Sequence, residues 1–523
     1  MTLFHSGALT RMCIGAAIAA ASSGGSAQAT LAIRKAPTHN VSCSAGICTA
    51  TADYATMNVG ELTSMLASSN VTLVSGKAKD IKVETAFSWA SAHRLTLDSR
   101  RSIRVNQTVT VAGSGALTIT TNDHGTGGTF FVMAPAHIDF WDLSDNLVIN
   151  GENYTLESDI AFLTNDIEHN PSGHYALASD VGAAGTPIPT HFTGTLDGLG
   201  HFLGYGVFDG SKNAELGFFS WIDVGGVVEN VRLSAGVTGD SLQVISGLAA
   251  MNYGLIANTS GTGTVRGLGK HDIVGGLVAE NYGSVVSSSF SGTVWARYGS
   301  RIGGLIGVQG ESSGHLGSTI NSPSTATLTC PVDCYAGGLI GVASGSITGS
   351  WASGSVTIGG ENAITPTASA GGLVGYFLAD PSTPGTISNS YATGAITGGQ
   401  NANSGQNVNV GGLIGVTSVA GGSGSVVDSY STGALTGGAG SFVGGLIGYD
   451  AQQANTDDYW DIDTSGVSDP SQGAGNIAND PGITGLTTAQ LQSGLPAGFD
   501  PSIWAESPSI NGGLPYLIAN PPP

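Results

Sequence analysis

Charge is what this chain has least of. Asp, Glu, Lys and Arg together make up 10% of its 523 residues, against a usual ~25%. The charge it carries is mostly acidic, 37 Asp and Glu against 16 Lys and Arg, for a formal net of −21. Phosphate binding needs clustered Lys and Arg, so nucleic acid is excluded as a partner. Beyond the N-terminus no stretch approaches the ~20 apolar residues that span a bilayer as a helix, so no membrane span is expected. Cysteine is also scarce, with five residues. Glycine is abundant, 82 residues, but in no three-residue period, which excludes collagen. Low charge with high glycine can mean disorder, yet 41% hydrophobic residues can still bury a core.

Residues 1–29 have the form of a secretory signal. Arg11 closes a short polar start, MCIGAAIAAA follows from Met12, and Ala27, Gln28 and Ala29 give a small-x-small cleavage site. The chain is therefore expected to be secreted or to sit on the outer cell surface. Cleavage removes Cys13 and leaves Cys43, Cys48, Cys330 and Cys334. In an exported chain, such tight local pairs are expected to form two disulfides, Cys43 with Cys48 and Cys330 with Cys334. The rival reading is one shared zinc, but the pairs lie far apart and neither is Cys-x-x-Cys.

The strongest positive signal is self-similarity. One core recurs as SGLAAMN at Ser246, GGLVAEN at Gly275, GGLIGV at Gly303, Gly337 and Gly411, GGLVGY at Gly371 and GGLIGY at Gly444. Its leucines, from Leu248 to Leu446, are spaced roughly 28 to 40 residues apart, a solenoid-like period. A second motif follows most cores: SVVSSSFSGTV from Ser284, SITGSWASGSV from Ser346, TISNSYATGAI from Thr386 and SVVDSYSTGAL from Ser425. Each reads as a short strand, an aromatic, a glycine-containing turn and another short strand, with no helical period. Such repeats predict a stack in which each strand lies ~4.8 Å above its equivalent. The aliphatics then face inward, and glycines make corners by positive φ or close backbone approach. Ser, Thr and Asn on the exposed ladders avoid setting like charges opposite one another.

Upstream, Ile103 and Val105, Val109 and Val111, and Leu117 and Ile119 alternate as three short strands. Two segments read as helices: about Glu61 to Ala67, part of an N-terminal cap, and about Asp159 to His169, a linking element. In the tail, Thr487 and Gln490 form a capping box for one short helix. Trp460 and Trp504 suit a cap over the last open coil. The expected division is a signal at 1–29, a first β-helical region at 41–155, a linker at 156–190, a repeat β-helix at 191–449 and a cap and tail at 450–523.

GGLVAENYGSVVSSSFSGTV and the SGSITGSWASGSV units resemble the GLUG repeat of bacterial surface and secreted proteins. FTGTLDGLGHFL from Phe192 and LGFFSWIDVGGVVENVRL from Leu216 look like the coil that leads into such repeats. The Ala50 to Thr155 region resembles the β-helical part of filamentous-haemagglutinin-like exoproteins. These resemblances imply a mostly β chain, a single-stranded right-handed β-helix with short helical caps, exported and of a type found in adhesins. Later repeats depart from the pattern by losing the Asn-x-Gly present at Asn252 and Asn281, and the insertion around Cys330 is unusual. A C-terminal membrane barrel, which would need many ~10-residue alternating strands, is missing.

Little catalytic chemistry is legible. No His-Glu-x-x-His and no phosphate-binding loop is present, and no cofactor is expected. Gly310-Glu-Ser-Ser-Gly314 matches the nucleophile-elbow pattern but lacks its strand-to-helix context. Asp197, Asp209 and Asp223 could serve a polysaccharide-cleaving enzyme only by facing each other across a cleft, and Asp-Gly is first a turn former. Asp457, Asp458, Asp461 and Asp463 could offer calcium oxygens and read more simply as an acidic turn. His169, His174, His191 and His201 show no ligand spacing and read as surface or turn residues. The expectation is an adhesin-like binding protein without catalytic activity. Its partners would be glycans or proteins on a host or neighbouring cell, with an outer-membrane exporter as a further partner. The alternatives are a polysaccharide-degrading β-helix enzyme and a structural stalk or matrix protein.

Overall fold

The glycine pairs of the repeat core are corners where two backbones touch. A Cβ on Gly304 would strike the carbonyl oxygen of Gly338, one on Gly338 that of Gly372, and one on Gly372 that of Gly412. None of these glycines has a positive φ, so close approach is what demands glycine there. The left-handed corner lies elsewhere and is mostly not glycine. Asn230, Asn258, Ser287, Asn321, Gly349, Asn389 and Asp428 all have positive φ, one in each successive coil. Asn and Asp tolerate this backbone better than most residues.

These corners separate the faces of a β-helix, seen in a computed structural model that describes residues 29–184, 187–209, 215–240, 243–359, 368–379, 385–399, 408–419 and 424–523. Nearly all of the signal-like stretch, with Cys13, lies outside the described residues. In the repeat region, strands of a first face such as Ile273–Gly275, Arg301–Gly303 and Tyr335–Gly337 pair in parallel from coil to coil. The glycine pair then turns the chain into a second face, which includes Phe219–Ile222, Ala249–Asn252, Val278–Asn281, Ile306–Gln309 and Ile340–Ala343. A third face includes Thr195–Asp197, Val227–Glu229, Leu255–Ala257 and Ser284–Val286. A fourth carries the longest strands, among them Arg232–Gly239, Ser260–Lys270 and Ser289–Tyr298. The sheets are stacks along one axis, and no barrel closes. Leu248, Leu277, Leu305, Leu339, Leu373, Leu413 and Leu446 have no exposed surface and belong to one continuous core.

A row of buried hydroxyls follows the left-handed corner. The Ser322 amide donates to the Ser350 hydroxyl at 3.1 Å, the Ser350 amide to Ser390 at 3.3 Å, and the Ser390 amide to Ser429 at 3.2 Å. Each hydroxyl donates in turn to a carbonyl two residues back, as Ser350 does to Thr348. Serine recurs there because each coil leaves a buried N–H that must be satisfied. The Ser429 amide donates to Asp458 at 2.9 Å, which ends the row. A second buried row explains the fading Asn-x-Gly signal. Asn252 donates to Asn281, Asn281 to Gln309, and Gln309 to the carbonyls of Ser344 and Ser346.

The first β-helical stretch winds Asp80–Val83, Ile103–Val105 and Phe130–Val132 on one side, and Val71–Val74, Arg94–Asp98, Ala116–Thr120 and Asn146–Ile149 on another. Helix α1 (Val59–Leu66) covers this core with Leu62 and Leu66, its N-cap Asn58 accepting from the amides of Gly60 and Glu61. Helix α2 (Ile160–His169) starts at the N-cap Asp159 and packs Leu163 and Ile167 into the second core. The two stretches are joined directly: the Ile138 amide donates to the Leu199 carbonyl at 3.0 Å and the Phe140 amide to that of Ala178 at 3.1 Å.

Disulfides join Cys43 to Cys48 across a two-stranded hairpin and Cys330 to Cys334 in the inserted coil. Helix α3 (Thr488–Leu491) carries the Thr487–Gln490 capping box. Trp460 closes the end of the repeat core, but Trp504 does not share that role. The chain from α3 onward runs back along the fourth face, where Trp504 packs on an outward aromatic row.

Candidate functional site: an open outward row and an acid pair in register

Alternation along a strand sends every second residue outward. On the second face the register aligns Trp221, Met251, Glu280, Val308, Val342, Tyr376, Val416 and Tyr449. All but Glu280 are apolar or aromatic and are half-buried or exposed, with Tyr449 at 37% exposure. At ~4.8 Å per coil the row is about 34 Å long. An apolar row of this length left uncovered is a feature that marks interaction sites.

The row begins in a stack of rings. His191 lies 4.7 Å from Trp221, Trp221 5.9 Å from Tyr253 at an interplanar angle of 1°, and Tyr253 5.0 Å from Tyr282. Ring faces are spent on one another, so a ligand meets ring edges, which carry the positive side of the aromatic quadrupole and favour oxygen atoms. Polar groups rim the stack: His191 pairs with Asp223 at 3.0 Å, and the Tyr282 hydroxyl donates to Glu280 at 2.8 Å. Partial burial raises the Asp223 pKa, but the Val224 amide and His191 outweigh it and hold the carboxyl below its ordinary value. Burial raises Glu280, and Tyr282 and Arg301 offset that only in part.

The Gly310-Glu-Ser-Ser-Gly314 segment turns out to be a hairpin over this stack. Glu311–Ser312 pairs antiparallel with His315–Leu316. Tyr253 donates to the Ser312 hydroxyl at 3.1 Å, and His315 meets the Tyr253 ring edge-on at 6.1 Å. It is a strand-to-strand turn, not a nucleophile elbow. Asp223, His191 and Ser312, noted separately in the sequence, are thus neighbours of one stack, and His315 joins them with no motif to announce it.

The fourth face provides the contrast. Trp351 and Tyr391 stack at 5.9 Å, Tyr391 and Tyr430 at 5.0 Å, and Trp504 lies 6.0 and 5.9 Å from the two tyrosines. Leu491, Phe499 and Leu517 complete the cover, and no ring of this row is more than 7% exposed. The chain covers one aromatic row with its own tail and leaves the other open.

Asp197 is wholly buried on the third face. Its carboxylate accepts from the Leu199 backbone amide at 2.8 Å and from the Asn230 side-chain NH2 at 3.1 and 3.2 Å. The turn reading holds, but Asp197 also stands in register with Glu229 on the next coil. Burial raises both pKa values, and the proximity of two like charges adds to this at Glu229. Glu229 was missed in the sequence, because its only signal is the strand register.

The remaining candidates serve the fold. The Asp209 side chain lies outside the described residues. Asp461 accepts from the Asp463 amide and the Thr488 hydroxyl, and Asp463 from the Thr488 amide, so both anchor α3. Asp458 ends the serine row, and among the described residues no group of His, Cys, Asp and Glu could hold a metal ion. His201 is no surface residue: it is 2% exposed and bridges Asp180 at 3.2 Å to the Ile138 carbonyl at 2.9 Å, across the joint between the two stretches.

Residues 367–397 match the GLUG motif model. No curated protein matches the chain. Among solved structures, an "IgA1 Protease" is similar at 20% identity and a TM-score of 0.38, over 53% of this chain and 21% of that one. A "putative immunoglobulin A1 protease from Bacteroides ovatus" is similar at 18% identity and a TM-score of 0.38, over 70% of this chain and 92% of that one. The chain thus spans about a fifth of the first protein's length. These names overturn the expectation of a chain without catalytic activity. That expectation also took no account of the pair that Asp197 forms with Glu229 on the next coil. At this TM-score the likeness itself assigns no activity.

Proposed function

We propose that this is an exported, surface-associated protein that binds an extended partner, a glycan or protein of a host or neighbouring cell, along its second face. The outward row from Trp221 to Tyr449 carries this reading. It is long and apolar, and it is open where the comparable aromatic row is covered. A regular row offers many weak equivalent contacts, which suits attachment to a repeating polymer. The two disulfides fit an oxidising compartment outside the cytoplasm. The signal-like N-terminus and the haemagglutinin-like resemblance of the first stretch are parts of the same proposal.

A second reading, a hydrolase on the same fold, is favoured by the Asp197–Glu229 pair, which stands in register on adjacent coils. One experiment separates them. The chain from Thr30 is incubated with surface polysaccharides and matrix proteins, and retention and newly formed chain ends are read in the same wells. Retention that is lost in Val342→Asp supports the binding face. New chain ends that disappear in Glu229→Gln support the hydrolase instead.

A further inference from the structure

Where the two β-helical stretches meet, they leave a cleft of about 200 Å³. Phe131, Ile149 and Asn150 of the first stretch form one side, and Glu229, Leu255 and Asn258 of the second form the other. The volume is below the ~300–1,000 Å³ usual for drug-sized ligands, so its occupant is a single ring or residue.

The hydrogen bonds already made within the fold show what the cleft offers. Asn150 accepts from the amide and hydroxyl of Thr121 through its oxygen, which leaves its NH2 to donate. Asn258 donates from its NH2 to the Val132 carbonyl and to Asn230, which leaves its oxygen to accept. Among the described residues nothing donates to the Glu229 carboxyl. Asp197 beside it is fully engaged by Leu199 and Asn230. The cleft therefore presents an amide donor, an amide acceptor and a carboxyl around an aromatic and aliphatic lining. That pattern matches a hydroxylated ring with an apolar C–H face.

We propose that this cleft binds one neutral sugar residue, with Phe131, Ile149 and Leu255 against its C–H surface and Asn150, Asn258 and Glu229 on its hydroxyls. The lining of the cleft includes no Lys or Arg, so nothing in it draws an anionic ligand. A cation would find one free carboxyl and no other charged ligand, too few oxygens for Ca²⁺ or Mg²⁺. The cleft lies on the third face, so the site does not depend on the second-face row.

The test is saturation-transfer NMR and calorimetry on the full chain at pH 6. The probes are neutral hexoses, N-acetylhexosamines, uronic acids and, as a cation control, lysine. The expected result is saturation of at least one neutral sugar, with tenfold or greater weakening in Leu255→Trp, which fills the cleft. Glu229→Gln, nearly the same shape, should bind with an affinity changed several-fold. Circular dichroism establishes that both variants are folded. The proposal is overturned if no neutral sugar binds, if only lysine binds, or if a folded Leu255→Trp binds as the parent does. Its failure leaves second-face retention untouched, so the two readings fall separately.

Discussion

The indole N–H of Trp504 donates to the Asn389 side chain at 3.0 Å, across 115 residues of sequence. Asn389 sits at the left-handed corner of a repeat coil, and Trp504 lies in the tail that returns along the fourth face. Trp351 donates to the Asn520 carbonyl and Tyr430 to that of Pro515, so the tail is fastened at several coils. With its ring 1% exposed, Trp504→Ala is expected to cost about 3–5 kcal/mol. Urea unfolding measures this. A change below about 0.5 kcal/mol, the size typical of a surface substitution, would mean that the tail does not hold the face.

The serine row makes a narrower prediction. In Ser390→Ala the buried Ser350 amide loses its acceptor, at an expected cost of about 1–3 kcal/mol. Ser388→Ala, two residues away, leaves no buried amide unpaired and loses only a partly buried hydroxyl pair with Thr348, at an expected cost of no more than about 1 kcal/mol. Equal effects at the two positions would remove the row as the reason for the repeated serine.

The glycine corners can be checked in the same way. Gly338→Ala places a Cβ against the Gly372 carbonyl and is expected to destabilise by about 1–3 kcal/mol or more. At Gly310, where the nearest atoms are side-chain atoms at ordinary contact distance, alanine should be tolerated. Thermal unfolding of the two variants side by side decides it, and a tolerated Gly338→Ala would contradict the close approach.

Much of this architecture was legible because it is local. Inward leucines recur in each coil, period-two alternation marks Ile103 to Ile119, helical segments stand out near Glu61 and Asp159, and the Thr487 capping box announces α3. What was not legible depends on contacts between distant residues. Trp504 could not be placed, since its partners are chosen by the path of the tail. His201 looked like a turn residue until Ile138 of the first stretch closed over it. Asp197 was recognised as a turn former, but Glu229 became its partner only through a register that strand pairing fixes. From Met251 to Tyr449 the row was present as the sixth residue of each GGLIGV-like core, yet which face stays open depends on where the tail runs.

The acids set a pH dependence. Burial first, with help from neighbouring carboxylates, raises Asp145 to about 6 and Glu157 and Asp480 to about 7. Asp197 and Glu229 are raised too. In the unfolded chain such groups titrate near ~4, so between pH ~4 and ~7 the folded state binds more protons and stability falls as pH rises. The melting temperature should therefore be higher at pH 5 than at pH 8. A melting temperature that rises over this range would show that these carboxyls are not buried as described.

The most direct measurement compares the two outward faces of one molecule. Tyr376→Asp changes the open second-face row, and Thr397→Asp changes an exposed position on the fourth face. Both variants, with the parent chain, are applied to immobilised surface polysaccharides and matrix proteins under identical conditions. The expected result is retention of the parent and of Thr397→Asp, with at least tenfold loss in Tyr376→Asp. Equal retention of all three would contradict the second face as the binding surface.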